Sequence, residues 1–141
     1  MLDMEKEFDY KQEESDLFGS VKRPRIETQI FSKKKNRWIW IDEVLADTGA
    51  DFCVLPRYLG NFFIEDITTG KYIEIKGVVP SARLIAYIHE LKIKLADREF
   101  NVPIAIADSD DVPSIFGRVN GLDLFDANFL KGEKIKLHWE E

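Results

Sequence analysis

Cysteine is nearly absent from this chain: Cys53 stands alone, so no internal disulfide can form. The two histidines, His89 and His138, lie far apart and away from Cys53, so no zinc-ligand cluster can be read. No apolar run approaches the roughly 20 residues needed to span a bilayer as a helix. The first residues, MLDMEKEFDYKQEESD, carry acids where a secretory leader needs basic and then apolar residues. The expectation is therefore a cytoplasmic protein without a membrane partner. Positive charge is also scarce: a net charge of −6 gives no footprint for nucleic acid. The short basic run Lys33-Lys34-Lys35 reads as a solvated turn.

What the chain does have is the composition of a globular protein. Its 141 residues suffice for one core without covalent staples. Residues 1–20 read as an acidic arm, partly disordered unless Phe8, Tyr10 and Phe18 dock. Residues 21–141 read as a single domain of many short strands. Arg25 to Phe31 and Arg37 to Ala46 flank a polar turn and form a hairpin. In RWIWI, Trp38 and Trp40 share one face and Ile39 and Ile41 the other. Tyr72 to Val78 alternates as a strand. Leu84 to Leu95 and Phe100 to Ala107 form another hairpin, turning at Asp97-Arg98. Leu122, Phe125 and Phe129 follow Asn120 at i, i+3 and i+7, which predicts a helix over 121–129 stopped by Gly132. Ile135, Leu137 and Trp139 alternate in a last strand. The fold class is all-β, a small closed or sandwiched structure with one late helix.

One stretch does not fit a purely structural account. VLADTGAD, residues 44–51, drives an apolar strand into a turn that carries Asp47. A surface turn is the bland reading, since Asp and Gly favour turns. Dehalogenase-type phosphotransferases place a second Asp two residues on, where this chain has Gly49. P-type ATPases place Lys directly after the Asp, where this chain has Thr48. The remaining chemistry is that of an aspartic protease.

Here the sequence resembles the retroviral-type, or retropepsin-like, aspartic proteases. VLADTGADFCVLP is similar to their active-site loop and following strand. Ser114-Ile115-Phe116-Gly117-Arg118 is similar to their Ile-x-Gly-Arg segment. Arg23-Pro24 is similar to the Arg-Pro that opens retroviral enzymes, and the three segments come in the family's order over about residues 22–139. The resemblance implies a small closed acid-protease barrel, one lobe per chain, with one short C-terminal helix. It implies Asp47, Thr48 and Gly49 as the catalytic loop, with Asp47 one half of a dyad and no metal or cofactor. Because the motif occurs once, the second Asp47 must come from another copy, so a homodimer acting on a peptide or protein substrate is expected. Substrate contacts are expected from Gly49, Ala50, Asp51 and a flap carrying Gly77, Val78 and Val79. Gly117 and Arg118 would support the loop, Arg118 through a buried pair with Asp51, while Arg23 would reach the partner's Asp51.

The flap position departs from the family pattern. Ile75 to Arg83 holds one Gly, and Pro80 removes a backbone donor. A retropepsin-fold peptide-binding or dimerisation module without turnover is the alternative reading.

Overall fold

The order in which strands alternate with turns sets the architecture. The protein, seen in a computed structural model, is described at residues 2–77, 79 and 81–141. Its strands are β1 (Asp3–Asp9), β2 (Lys11–Ser15), β3 (Gly19–Arg23), β4 (Arg25–Ser32), β5 (Arg37–Ala46) and β6 (Cys53–Leu55). They continue with β7 (Lys71–Lys76), β8 (Arg83–Leu95), β9 (Arg98–Ala107), β10 (Ile115–Phe116), β11 (Asp126–Leu130) and β12 (Lys134–Glu140). One helical turn, α1 (Arg57–Gly60), and 3-10 turns at Ile67–Thr69 and Leu122–Leu124 interrupt them. Among the described residues no helix is long and apolar enough to cross a membrane.

Six strands close a barrel in the order β4-β5-β10-β6-β9-β8, and β8 pairs back onto β4 through Gln29–Lys94 and Ile30–Ile93. Closure removes the free edges that an open sheet of this size would expose. Period-two alternation fills the interior: Ile26 and Ile30 from β4, Leu91, Ile93 and Leu95 from β8, and Val102, Ile104 and Ile106 from β9 are buried. β9 is buried on both faces over its last four residues. Its other face contributes Ala105 and Ala107, which join Ala86 and Val54 in a second, smaller cluster. Strand β7 lies outside the barrel, paired only with β8, and the β7–β8 hairpin stands over that small-residue patch.

Three local expectations are corrected. The β8–β9 hairpin turns at Ala96-Asp97, one residue earlier than read, because both central residues take positive φ (53° and 67°), as a two-residue hairpin turn requires. The expected helix over 121–129 is a single 3-10 turn, Leu122–Leu124, and residues 126–130 are a strand. Asn120 is left-handed, Phe125 is extended, and Asp126 to Leu130 pair residue by residue with β12. Gly132 (φ 71°) does not stop a helix; with Lys131 (φ 51°) it forms the tight β11–β12 turn.

The acidic segment at the start is strand over much of its length. β1 lies antiparallel to β12 from Asp3–Glu140 to Asp9–Lys134, with β11 on the other side of β12. Phe8 is buried and Tyr10 packs against the core, whereas Phe18 stays exposed. β2 and β3 form a separate hairpin braced on the barrel by Glu13. That carboxylate accepts from Arg25 Nε at 2.7 Å and Nη2 at 3.2 Å, and lies 3.3 Å from Arg23 Nε.

The hydrogen bond from Arg25 holds the Glu13 carboxyl below the ordinary carboxylate range, against partial burial, and the charges of Arg25 and then Arg23 add to it. A lowered folded value means that the stability is present above the unfolded glutamate value of about 4.3 and is lost as pH falls through the folded value. Glu13→Gln should cost at most about 1 kcal/mol near neutral pH. The difference from wild type should close as the medium becomes acidic, which urea titrations at two pH values will read.

Candidate active site

The backbone approaching Asp47 is gripped on two sides. β10 runs parallel to the end of β5, pairing Ile115 with Leu45 and Phe116 with Ala46. On one side the Asp47 N–H donates to Phe116 O at 3.1 Å, and on the other the Ala46 N–H donates to Pro24 O at 2.9 Å. An acid placed directly after such a strand has little freedom to move. Asp47 is half-buried, and its Oδ1 accepts from the Gly49 N–H at 2.9 Å. The Ala50 N–H closes the turn onto Asp47 O at 3.3 Å. Thr48 and Gly49 are exposed on the outside of that turn.

Gly49 does not have positive φ; a Cβ there would lie 3.3 Å from Asp47 Oδ1, so glycine keeps space beside the carboxylate. Gly117 is the more demanding position. A Cβ on it would run into the Phe52 carbonyl and lie 2.8 Å from Ala50 O. Close approach of two backbone segments, not a special φ, is what glycine provides here. It lets the Arg118 and Val119 N–H groups reach Ala50 O and Asp51 O at 2.9 and 3.0 Å.

The expected buried Asp51–Arg118 pair is not what the protomer forms. Arg118 instead bridges Asp123 through Nη2–Oδ2 at 3.2 Å and Nε–Oδ1 at 3.3 Å, with both side chains about half exposed. Asp123 sits on the 3-10 turn that follows, within easy reach of Arg118. Hydrogen bonds and charge from Asp123 raise the Arg118 pKa further, and the Asp51 carboxylate, itself exposed, adds only a weaker charge effect. Arg23, expected to reach the partner's Asp51, lies beside Glu13 of its own chain in the protomer. Cys53 is buried, and desolvation pushes its thiol up to about 11 against a lowering backbone hydrogen bond from Gly117.

A cleft of about 550 Å³ lies between the Asp47 loop and the β7–β8 hairpin. Gly49, Ala50, Asp51 and Phe52 form one wall, Glu74, Ile75, Lys76 and Leu84 the opposite one, and Val54, Val112, Pro113 and Ile115 complete it. Of the residues expected to meet a substrate, Gly49, Ala50 and Asp51 line this cleft. Gly77 and Val79 lie at the hairpin tip, where the Gly77 N–H donates to Ala82 O and the Ala82 N–H to Val79 O, and do not line it. Val78 is outside the described residues. The hairpin contributes Glu74, Ile75, Lys76 and Leu84 from its strands instead.

A closed six-stranded barrel, an acid held between two backbone strands and a hairpin standing over the apolar cleft beside it define the retropepsin-like aspartic-protease fold. Comparison with solved structures agrees. The chain is similar to a retropepsin-like aspartic protease from Rickettsia conorii, with a TM-score of 0.63 at 18% identity over 98% of this chain and 94% of that one. It is also similar to EIAV protease complexed with the inhibitor HBY-793, with a TM-score of 0.50 at 25% identity over 74% and 86%. No family model and no curated protein matches the sequence.

Proposed function

We propose that this protein is a homodimeric aspartic endopeptidase in which each copy supplies one Asp47. The observation that carries the reading is the placement of Asp47: its carboxylate is fixed by the Gly49 N–H, and the loop that bears it walls an apolar cleft. An extended peptide lying there would present its backbone to the loop and its apolar side chains to Ile75, Leu84 and Ile115.

Peptide hydrolysis by carboxylates needs two of them about 3 Å apart sharing one proton. One activates water, and the other donates to the carbonyl oxygen of the scissile bond. At that separation two negative charges repel by roughly 5 kcal/mol at an effective dielectric of 20, so the pair holds its proton over a wide pH range. The Asp-Thr-Gly motif occurs once in this chain, so the second Asp47 would come from a second copy related by symmetry.

The reading is tested by incubating the purified protein with an unfolded protein substrate between about pH 4 and 7, with and without a statine-type inhibitor. Inhibitor-sensitive cleavage is expected. A shared-proton dyad should give a bell-shaped profile, active below neutrality and fading as the second proton leaves. Activity that instead climbs steadily to about pH 9 would point to a different base.

A further inference from the structure

From the open edge of β11 we infer a pairing between copies of this chain: β11 of one copy adds antiparallel to β11 of another about a two-fold axis through Asn128. The two three-stranded sheets then run on as one. The inference stands on the sheet edge alone and requires nothing of Asp47.

The sheet runs β1-β12-β11, so β11 is paired on one side only. Outside that ladder, among the described residues, its backbone accepts only from the Glu133 N–H, which closes the β11–β12 turn onto Leu130 O. An unpaired edge is a template for another strand unless charge, proline or a bulge spoils it. Charge spoils the other strands that are paired on one side only: DMEKEFD in β1, KQEES in β2, KYIEIK in β7 and the Lys22-Arg23 end of β3. β11 reads DANFL, pairs with β12 in unbroken register, and carries no charge from Ala127 to Leu130. Phe129 is 40% and Leu130 41% exposed along it.

The strand is also complementary to itself. Ala127 and Phe129 lie opposite Leu137 and Ile135, both fully buried, and so share the core-facing side of the sheet. Asp126, Asn128 and Leu130 lie opposite His138, Lys136 and Lys134 on the other side. A two-fold axis perpendicular to the sheet keeps each face on its own side, so only residues of one face can stand opposite each other. An axis through Asn128, the middle residue, pairs the whole strand. It sets Ala127 against the partner's Phe129 twice, small against large, and covers both exposed rings. Asn128 meets its own copy, amide to amide. Leu130 meets the partner's Asp126, which brings Lys131, without an ion pair among the described residues, beside that carboxylate.

These features favour a second copy as the occupant. Addition of β11 to the β1 edge of another copy would repeat without closing, and Asp126 would meet only further acids there. The β11 edge paired with itself closes after two copies.

The test uses Asn128→Glu/Leu130→Glu. Within one chain the new carboxylates face Lys136 and Lys134 across the β11–β12 ladder, so the urea midpoint should match wild type. Between copies they face each other and the partner's Asp126, and like charges directly opposite destabilise a sheet. Sedimentation over a concentration series should show the double variant associating about tenfold to a hundredfold more weakly. Oxidation should also join copies of Asn128→Cys by a disulfide across the axis and leave Glu5→Cys, on the opposite edge, unjoined. Cys53 is buried and does not compete. A wild type that stays monomeric throughout the series overturns the pairing and leaves the edge to an extended segment of another protein. Equal association of wild type and double variant, or a cross-link at Glu5→Cys in place of Asn128→Cys, overturns it as well. Peptide cleavage is not read, so none of these results bears on the Asp47 site.

Discussion

Asp47→Asn is expected to yield a folded protein that lacks the peptide cleavage proposed above. The loop survives because the Asn side chain keeps an oxygen to accept from the Gly49 N–H, the bond that fixes Asp47 Oδ1 at 2.9 Å. The Asp47 N–H bond to Phe116 O and the Ala50 N–H bond to Asp47 O are backbone contacts and do not depend on the side chain. What the amide cannot do is take a proton from water or return one to the substrate. General acid–base catalysis contributes about 10²–10⁴-fold for each group, and the proposed symmetric dimer would lose both copies at once. Turnover should therefore fall by at least about 10⁴-fold while far-ultraviolet dichroism and sedimentation stay unchanged. Residual inhibitor-sensitive cleavage by purified Asp47→Asn protein would end the assignment of Asp47 as the reacting acid.

The second large effect is expected at a residue with no side chain at all. Gly117→Ala places a methyl group against the Phe52 carbonyl and 2.8 Å from Ala50 O, atoms that belong to backbone and cannot swing away. Either β10 or the 50–52 segment must move, and with it the two hydrogen bonds from Arg118 and Val119. Overpacking of this kind costs about 1–3 kcal/mol, at the upper end where backbone is the obstacle. A displacement of about 1 Å near the reacting acid adds a loss of the order of 100-fold in rate. Gly49→Ala is the informative contrast. Its Cβ meets only Asp47 Oδ1, at 3.3 Å, so the urea midpoint should barely shift while activity falls. Equal midpoints for the two variants would show that the β10 segment yields more easily than its packing indicates.

Much of the barrel was legible because its strands alternate, and a buried face leaves a period-two trace in a single sequence. The loop at 44–51 was legible for another reason: an acid after a buried strand needs explaining, and few chemistries explain Asp-Thr-Gly. The helix expected at 121–129 shows where such reading stops. Leu122, Phe125 and Phe129 fit a helical stripe, yet Phe129 is 40% exposed and its segment is held by β12, a partner that local spacing cannot reveal. The β2–β3 hairpin was hidden for the opposite reason. Lys11 to Ser15 is wholly polar, so no apolar alternation announces a strand that Glu13, Arg23 and Arg25 tie down through charge. Arg118 illustrates a competition between partners. Sequence reading names Asp51 alone, and Asp123 on the adjacent turn holds the guanidinium.

The pairing of β1 with β12 has a consequence for biosynthesis. The barrel strands can assemble as soon as β10 has been made, but β1 has no mate until the last strand emerges. During that wait it is an open β-edge on a nascent chain, the kind of surface that recruits neighbouring chains. Its sequence answers the hazard. Asp3, Glu5, Glu7 and Asp9 place a negative charge at every second position, and among identical chains such strands repel one another in register. Lys134 and Lys136 of β12 then meet that charge, lying within 4.0 Å of Glu5, Glu7 and Asp9. The acidity of the first strand thus acts as a temporal guard, repelling early partners and admitting the late one.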